Sequence, residues 1–103
     1  MKTTLVSITK STKKEKKLQA TFLIDGKEKI IHFGSSGNKD FTIYSAEGDK
    51  KKAEQMRNAY IARHSKNENW NDPMTAGSLA YHILWSYPTV SEAIKKFKSK
   101  FNL

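Results

Sequence analysis

The sequence contains no cysteine. That excludes disulfides, thiolate zinc sites and cysteine nucleophiles, and it fits a reducing compartment. Proline is nearly absent too, with only Pro73 and Pro88, so few positions forbid a helix outright. Among the basic residues arginine is scarce: Arg57 and Arg63 stand against seventeen lysines. No stretch approaches the ~20 apolar residues of a membrane span. The opening Met1-Lys2-Thr3-Thr4 leads into an alternating segment, not into the apolar run of a secretory leader. The expectation from these absences is a soluble chain that is neither secreted nor held in a membrane.

What is present is charge and aromatic bulk. Lysine and arginine exceed aspartate and glutamate, 19 to 10, for a net charge of +9. A field of that sign attracts polyanions, nucleic acid first and an anionic membrane surface or acidic protein second. Apolar residues make up 37% of the chain, with five Phe, four Tyr and two Trp, enough for a modest core in one domain of 103 residues.

The first half reads as strands. Leu5-Val6-Ser7-Ile8 is short and β-prone, and Leu18, Ala20, Phe22 and Ile24 recur with period two. Asp25-Gly26 between two such runs is a hairpin signal. A two-residue loop there sets Ile24 opposite Lys27, Phe22 opposite Lys29, Ala20 opposite Ile31 and Leu18 opposite Phe33. The tract Lys10–Lys17 between the first two strands reads as a mobile, solvated loop, because its lysines repel one another and nothing apolar anchors them. Gly34-Ser35-Ser36-Gly37-Asn38 reads as a loop, and Phe41-Thr42-Ile43-Tyr44 as a further short strand at a sheet edge.

The second half reads as helices. From about Asp49, the residues Ala53, Met56, Tyr60 and His64 fall on one helical face. Asp72-Pro73 has the form of an N-cap and first turn, opening a helix to about Trp85 or Ser86, in which Gly77 allows a close approach. Thr89-x-x-Glu92 is a capping-box pattern for a last helix with Val90, Ile94, Phe97 and Phe101 inward. The expected fold is α+β: an antiparallel sheet of three to four strands over about 3–45, then two to three helices over about 49–102, packed on one face as a single domain 1–103.

Sites of chemistry are few. "GSSGNKD" lacks the Gly-Lys-Ser/Thr of a P-loop, and Lys39 is followed by Asp40, so a plain turn is the simpler reading, with Lys39 able to touch a phosphate. His32, His64 and His82 show no metal-ligand spacing, and no metal or cofactor is expected. His64, on an apolar face, reads as a core histidine bonded to the sheet. A nuclease built on His64 and Glu68 lacks paired carboxylates and ranks third among the functional readings. Arg57 and Arg63 flank the apolar stripe, so each fork can clamp Glu68 or Asp40 inside the protein or a phosphate outside it. Trp70 and Arg63 read as structural, Trp70 packing against the helix that bears Tyr60. Tyr81 and Trp85, one turn apart, stand together on the side of their helix away from its aliphatic face; either Trp70 and the last helix close over them, or they form an exposed stacking platform or a partner-binding patch.

Three ordered stretches, "HFGSSGNKDFTIY", "YIARHSKNENW" and "TAGSLAYHILW", resemble a family of small, lysine-rich proteins of unknown function from large double-stranded DNA viruses. The similarity rests on Phe33-Gly34, Asp40-Phe41-Thr42, Tyr60, Arg63-His64, Glu68, Trp70, Thr75-Ala76-Gly77, Leu79 and Leu84-Trp85. It implies no activity. It does imply a viral setting, in the virion or in the cytoplasm or nucleus of the host, where small basic proteins accompany genomes or sit within capsids.

The leading expectation is therefore a non-catalytic, sequence-tolerant nucleic-acid-binding protein, with DNA favoured over RNA. Phosphate contacts would come from Lys10, Lys13, Lys14, Lys16, Lys17, Lys39, Arg57, Lys95, Lys96, Lys98 and Lys100. Removing Lys13, Lys14, Lys16 and Lys17 is expected to leave the fold intact, since none has a burial pattern. The alternative is a small capsid or virion protein that binds acidic viral proteins, its Tyr81–Trp85 face making the contact.

Overall fold

The computed structural model describes residues 2–103. Three strands, β1 (Thr3–Lys10), β2 (Lys16–Ile24) and β3 (Lys27–Ser35), form one antiparallel sheet in the order β1-β2-β3. Four helices follow: α1 (Phe41–Ala46), α2 (Lys50–His64), α3 (Ala76–Leu79) and α4 (Val90–Phe101). A π-helical segment, Ala80–Trp85, continues α3. The architecture is α+β, with sheet first and helices after.

The Asp25-Gly26 hairpin has the register that the alternation requires. Ile24 pairs with Lys27, Phe22 with Lys29, Ala20 with Ile31 and Leu18 with Phe33. Both turn residues have positive φ, as a primed two-residue turn demands. One sheet face is therefore apolar, and Leu5, Ala20, Phe22 and Phe33 on it are buried under Leu79, Ile83 and Leu84. Burying each of these phenylalanines is worth roughly 1.5–3 kcal/mol. On β1 the register slips between Leu5 and Ser7, a bulge that leaves Val6 unpaired and 58% exposed. Leu23 and Ile30 are exposed on the opposite sheet face, so the helices cover one side alone.

The connection between β1 and β2 differs from expectation. The strands extend into the lysine tract from both sides, leaving Ser11–Glu15 as a hydrogen-bonded turn. Ser11 N donates to Lys17 O at 3.1 Å, Lys16 N to Lys13 O at 3.1 Å, and Thr12 N to the Gln19 side chain at 3.0 Å. The Ser11 hydroxyl and His32 Nδ1 share a further bond of 2.7 Å. Short polar side chains thus anchor a segment in which charge repulsion alone would predict none.

Phe41–Tyr44 is not a strand but the start of α1. The Asp40 carboxylate accepts from Thr42 N at 2.9 Å and Ile43 N at 3.2 Å, and also from the Thr42 hydroxyl. An N-cap decides the conformation of a four-residue run whose alternation is too short to do so. Asp49 caps α2 and Thr89 caps α4, each at its expected position.

The third helix starts later than Asp72-Pro73 suggests. Asp72 accepts from Met74 N at 3.0 Å, which closes a local turn, and Thr75 is the true N-cap, accepting from Ser78 N at 3.1 Å. The widened turn after Leu79 then breaks the expected Tyr81–Trp85 pair. Trp85 rotates onto α2 and stacks on Tyr60, centroids 4.4 Å apart. Tyr81 turns the other way and stacks on Trp70 at 3.8 Å. The Ser86 hydroxyl donates to the Tyr81 carbonyl at 2.7 Å. Tyr81 and Trp85 therefore offer no common exposed face to a partner; Trp85 is only 8% exposed. Trp70 is partly buried, and its ring stacks on Tyr81 of the π-helical segment.

Candidate functional site

A cleft of about 460 Å³ lies at the end of the sheet, between the β2–β3 end, α1, α2 and the α3–π-helical segment. The three stretches singled out in the sequence converge on it. Gly34, Ser35 and Asn38–Asp40 form one wall, Tyr60, Arg63, His64 and Glu68 another, and Ala76, Gly77, Ala80, Leu84 and Trp85 the floor.

Two glycines make room for it. Gly34 has φ +81, and a Cβ there would meet Leu84 Cδ1 at 2.7 Å and Lys17 Cβ at 3.3 Å. Gly77 admits the Glu68 carboxylate, whose Oε2 would lie 1.7 Å from an added Cβ. Gly77 thus does permit a close approach, and what approaches is an acidic side chain from the preceding loop.

Charge around the cleft is partly neutralised within the fold. Lys17 Nζ meets Asp40 Oδ2 at 2.6 Å, with both side chains largely buried at 16% and 3% exposure. Lys39 pairs with Glu47 at 2.7 Å in the open, and that partner raises the lysine pKa above its ordinary value. Lys16 and Arg63 line the cleft and hold no ion pair among the described residues. Burial, with the nearby Glu68 charge adding to it, pushes the Tyr60 hydroxyl up to about 12, so it remains a neutral phenol at physiological pH.

The histidines are distributed differently from expectation. His64 is not a core residue: its side chain is 40% exposed, and its ring stacks on Tyr60 at 4.3 Å. Its Nδ1 is 3.9 Å from Glu68 Oε1, beyond hydrogen-bonding range. The buried histidine is His82, whose Nε2 lies 2.7 Å from the Trp70 carbonyl. A carbonyl only accepts, so Nε2 carries the proton. No group of three or more metal-ligating side chains occurs among the described residues.

His82 supplies a pH prediction. Burial lowers its pKa from 6.5, outweighing the Trp70 carbonyl, which raises it; the Lys100 charge lowers it slightly further. The unfolded chain therefore binds this proton more readily than the folded one. The stability contributed by neutral His82 is complete above about 6.5 and is lost as pH falls through the folded value. Melting temperatures should fall more steeply between pH 7 and 5 for the parent than for His82→Gln. Equal slopes would place His82 in water.

The predicted phosphate-contacting residues separate. Lys10, Lys13 and Lys14 are exposed at the β1–β2 turn, with Lys16 beside them at the cleft. Lys17 faces Asp40 instead of solvent. Arg57 lies with Cζ 4.6 Å from the Phe41 ring and donates to the Ser86 carbonyl at 3.3 Å, so its fork meets neither Glu68 nor Asp40. Lys100 borders a second cavity with Arg57, Trp70 and His82, and Lys96 borders a third; Lys95 and Lys98 stand on the exposed side of α4.

The fold and the cleft define a small basic α+β protein with a charged, aromatic-walled depression at the sheet end. The chain belongs to DUF5754, a family of unknown function, which it matches over residues 6–64. That span carries β1 from Val6 onward, β2, β3, α1 and α2, and stops short of Glu68 and the α3 side of the cleft. No curated protein and no solved structure matches the chain.

Proposed function

We propose that this chain is a small, non-catalytic nucleic-acid-binding protein that grips phosphates with free lysines around the β1–β2 turn and the cleft mouth. One observation carries the reading. Of the seventeen lysines, Lys17 and Lys39 alone hold ion pairs among the described residues. The positive field is thus not consumed inside the fold, and Lys10, Lys13 and Lys14 stand exposed at one tip. Tyr81 and Trp85, on which a protein-partner reading rests, are engaged in intramolecular stacks, and that favours the nucleic-acid reading over it. A viral setting, in the virion or inside the host cell with DNA as the polyanion, belongs to the same proposal and follows from the resemblance.

The test must spare Lys17, because its ammonium holds the buried Asp40. Replacing Lys10, Lys13, Lys14 and Lys16 with Ala should leave the melting temperature within a few degrees of the parent. It should flatten the log–log salt dependence of binding to random duplex by up to about 3–4 units, at roughly 0.9 for each phosphate no longer neutralised. No binding at low salt, or a variant that binds as tightly as the parent, would sink the reading.

A further inference from the structure

Three features of the cleft leave binding capacity that the fold does not use up. The Glu68 side chain is only 28% exposed, yet no group among the described residues donates a hydrogen bond to it. The absence of a side chain at Gly77 seats the carboxylate at the cleft, where its oxygens stay open to solvent or to a ligand. The second feature is a column of rings. Trp85 stacks on Tyr60 at 4.4 Å and 9°, Tyr60 on His64 at 4.3 Å and 28°, and no further aromatic of the described residues covers the outer side of His64. The third is that Lys16 and Arg63 border the same cleft without ion-pair partners among the described residues.

We propose that the cleft holds a single guanine nucleotide: the base extends the ring column on His64, its Watson–Crick edge meets Glu68, and its phosphate meets Lys16 and Arg63. A carboxylate can only accept hydrogen bonds. Guanine presents N1–H and the 2-amino group side by side, two donors for two oxygens. Adenine and cytosine set a ring-nitrogen lone pair next to their amine, and thymine and uracil flank one N–H with two carbonyls, so each turns a lone pair toward the carboxylate. A base stacked on an aromatic ring and a phosphate held by lysine and arginine are ordinary single-strand contacts. The cleft's volume of about 460 Å³ lies within the range of roughly 300–1,000 Å³ usual for small-ligand sites. The inference rests on the nucleic-acid reading and adds to it a base preference. The shared chemistry is guanine with a 5′-phosphate, supplied either as a free nucleotide or as an unpaired residue of a strand.

The experiment measures affinities of the full chain at low salt for GMP, AMP, CMP and UMP. Alongside them it uses short thymidine oligomers with and without one central guanosine. The guanine ligand of at least one series should bind about tenfold tighter than its counterparts, the discrimination expected of one good bidentate contact. Preference among the oligomers alone identifies a strand residue as the source; preference among mononucleotides identifies a free nucleotide. Glu68→Gln should erase the preference, bringing the affinities for the two oligomers together, because the amide sets its own donor against guanine. If both oligomers bind equally and GMP gains nothing over AMP, the guanine site is overturned and the phosphate-gripping reading stands. If GMP binds selectively and neither oligomer binds, that reading falls and the site stands. If nothing binds, both fall. A Glu68→Gln chain that retains the preference also overturns the site. Should that variant not fold, the parent's own selectivity still decides.

Discussion

Asp40→Ala should lower stability by about 2–4 kcal/mol, read as the shift in urea midpoint at constant slope. The carboxylate does three things at once: it caps α1 through Thr42 N and Ile43 N, it accepts from the Thr42 hydroxyl, and it neutralises Lys17 at 2.6 Å. Loss of a cap alone costs about 0.5–2 kcal/mol. Breaking a buried pair by removing one member costs about 3–5 kcal/mol, but Lys17 retains some exposure and can swing partly into water, which moderates the total. Lys17→Met should fall in a similar range, because it strands Asp40 at 3% side-chain exposure. The double variant should cost clearly less than the sum of the two. Lys39→Ala is the control. Its pair with Glu47 is open to solvent, and exposed pairs contribute under about 1 kcal/mol. If Asp40→Ala and Lys39→Ala cost the same, the buried pair is not holding the sheet end against α1.

Gly34→Ala should cost about 2–5 kcal/mol, from two independent sources. The left-handed backbone at φ +81 penalises any residue with a Cβ by roughly 1–2 kcal/mol. The added methyl would also press on Leu84 Cδ1 at 2.7 Å and on Lys17 Cβ at 3.3 Å, and overpacking of that kind typically costs about 1–3 kcal/mol. Leu84 is buried under the cleft, so the strain reaches the floor of the proposed site. Gly37→Ala, three residues on, meets nothing within 4 Å and has no positive φ. It should stay within about 0.5 kcal/mol of the parent. Thermal melts of the two variants side by side decide the point; matching curves would mean that Gly34 is an ordinary loop residue.

Much of the architecture is a local property of the chain. Period-two alternation from Leu18 to Ile24, followed by Asp25-Gly26, is enough to set the β2–β3 register, because a slip by one residue would turn every apolar side chain to water. Asp49 and Thr89 cap helices where they stand because capping is a contact between residues three apart. Net charge, and the attraction to polyanions that follows from it, needs no fold at all. Where local signals were balanced, the tertiary structure decided. Phe41–Tyr44 carries the pattern of a strand, and the Asp40 cap with its Lys17 partner, twenty-three positions earlier, makes it a helix. Lys17 reads as one more solvated charge until Asp40 is placed beside it. Tyr81 and Trp85 share one face of an ideal helix, and the π-helical turn sends one ring to Trp70 and the other to Tyr60. The cleft belongs largely to this second kind. His64 and Glu68 lie four positions apart and are legible as neighbours, but no spacing along the chain brings Gly34 and Gly77 to them, because only the closed fold sets how those segments pack.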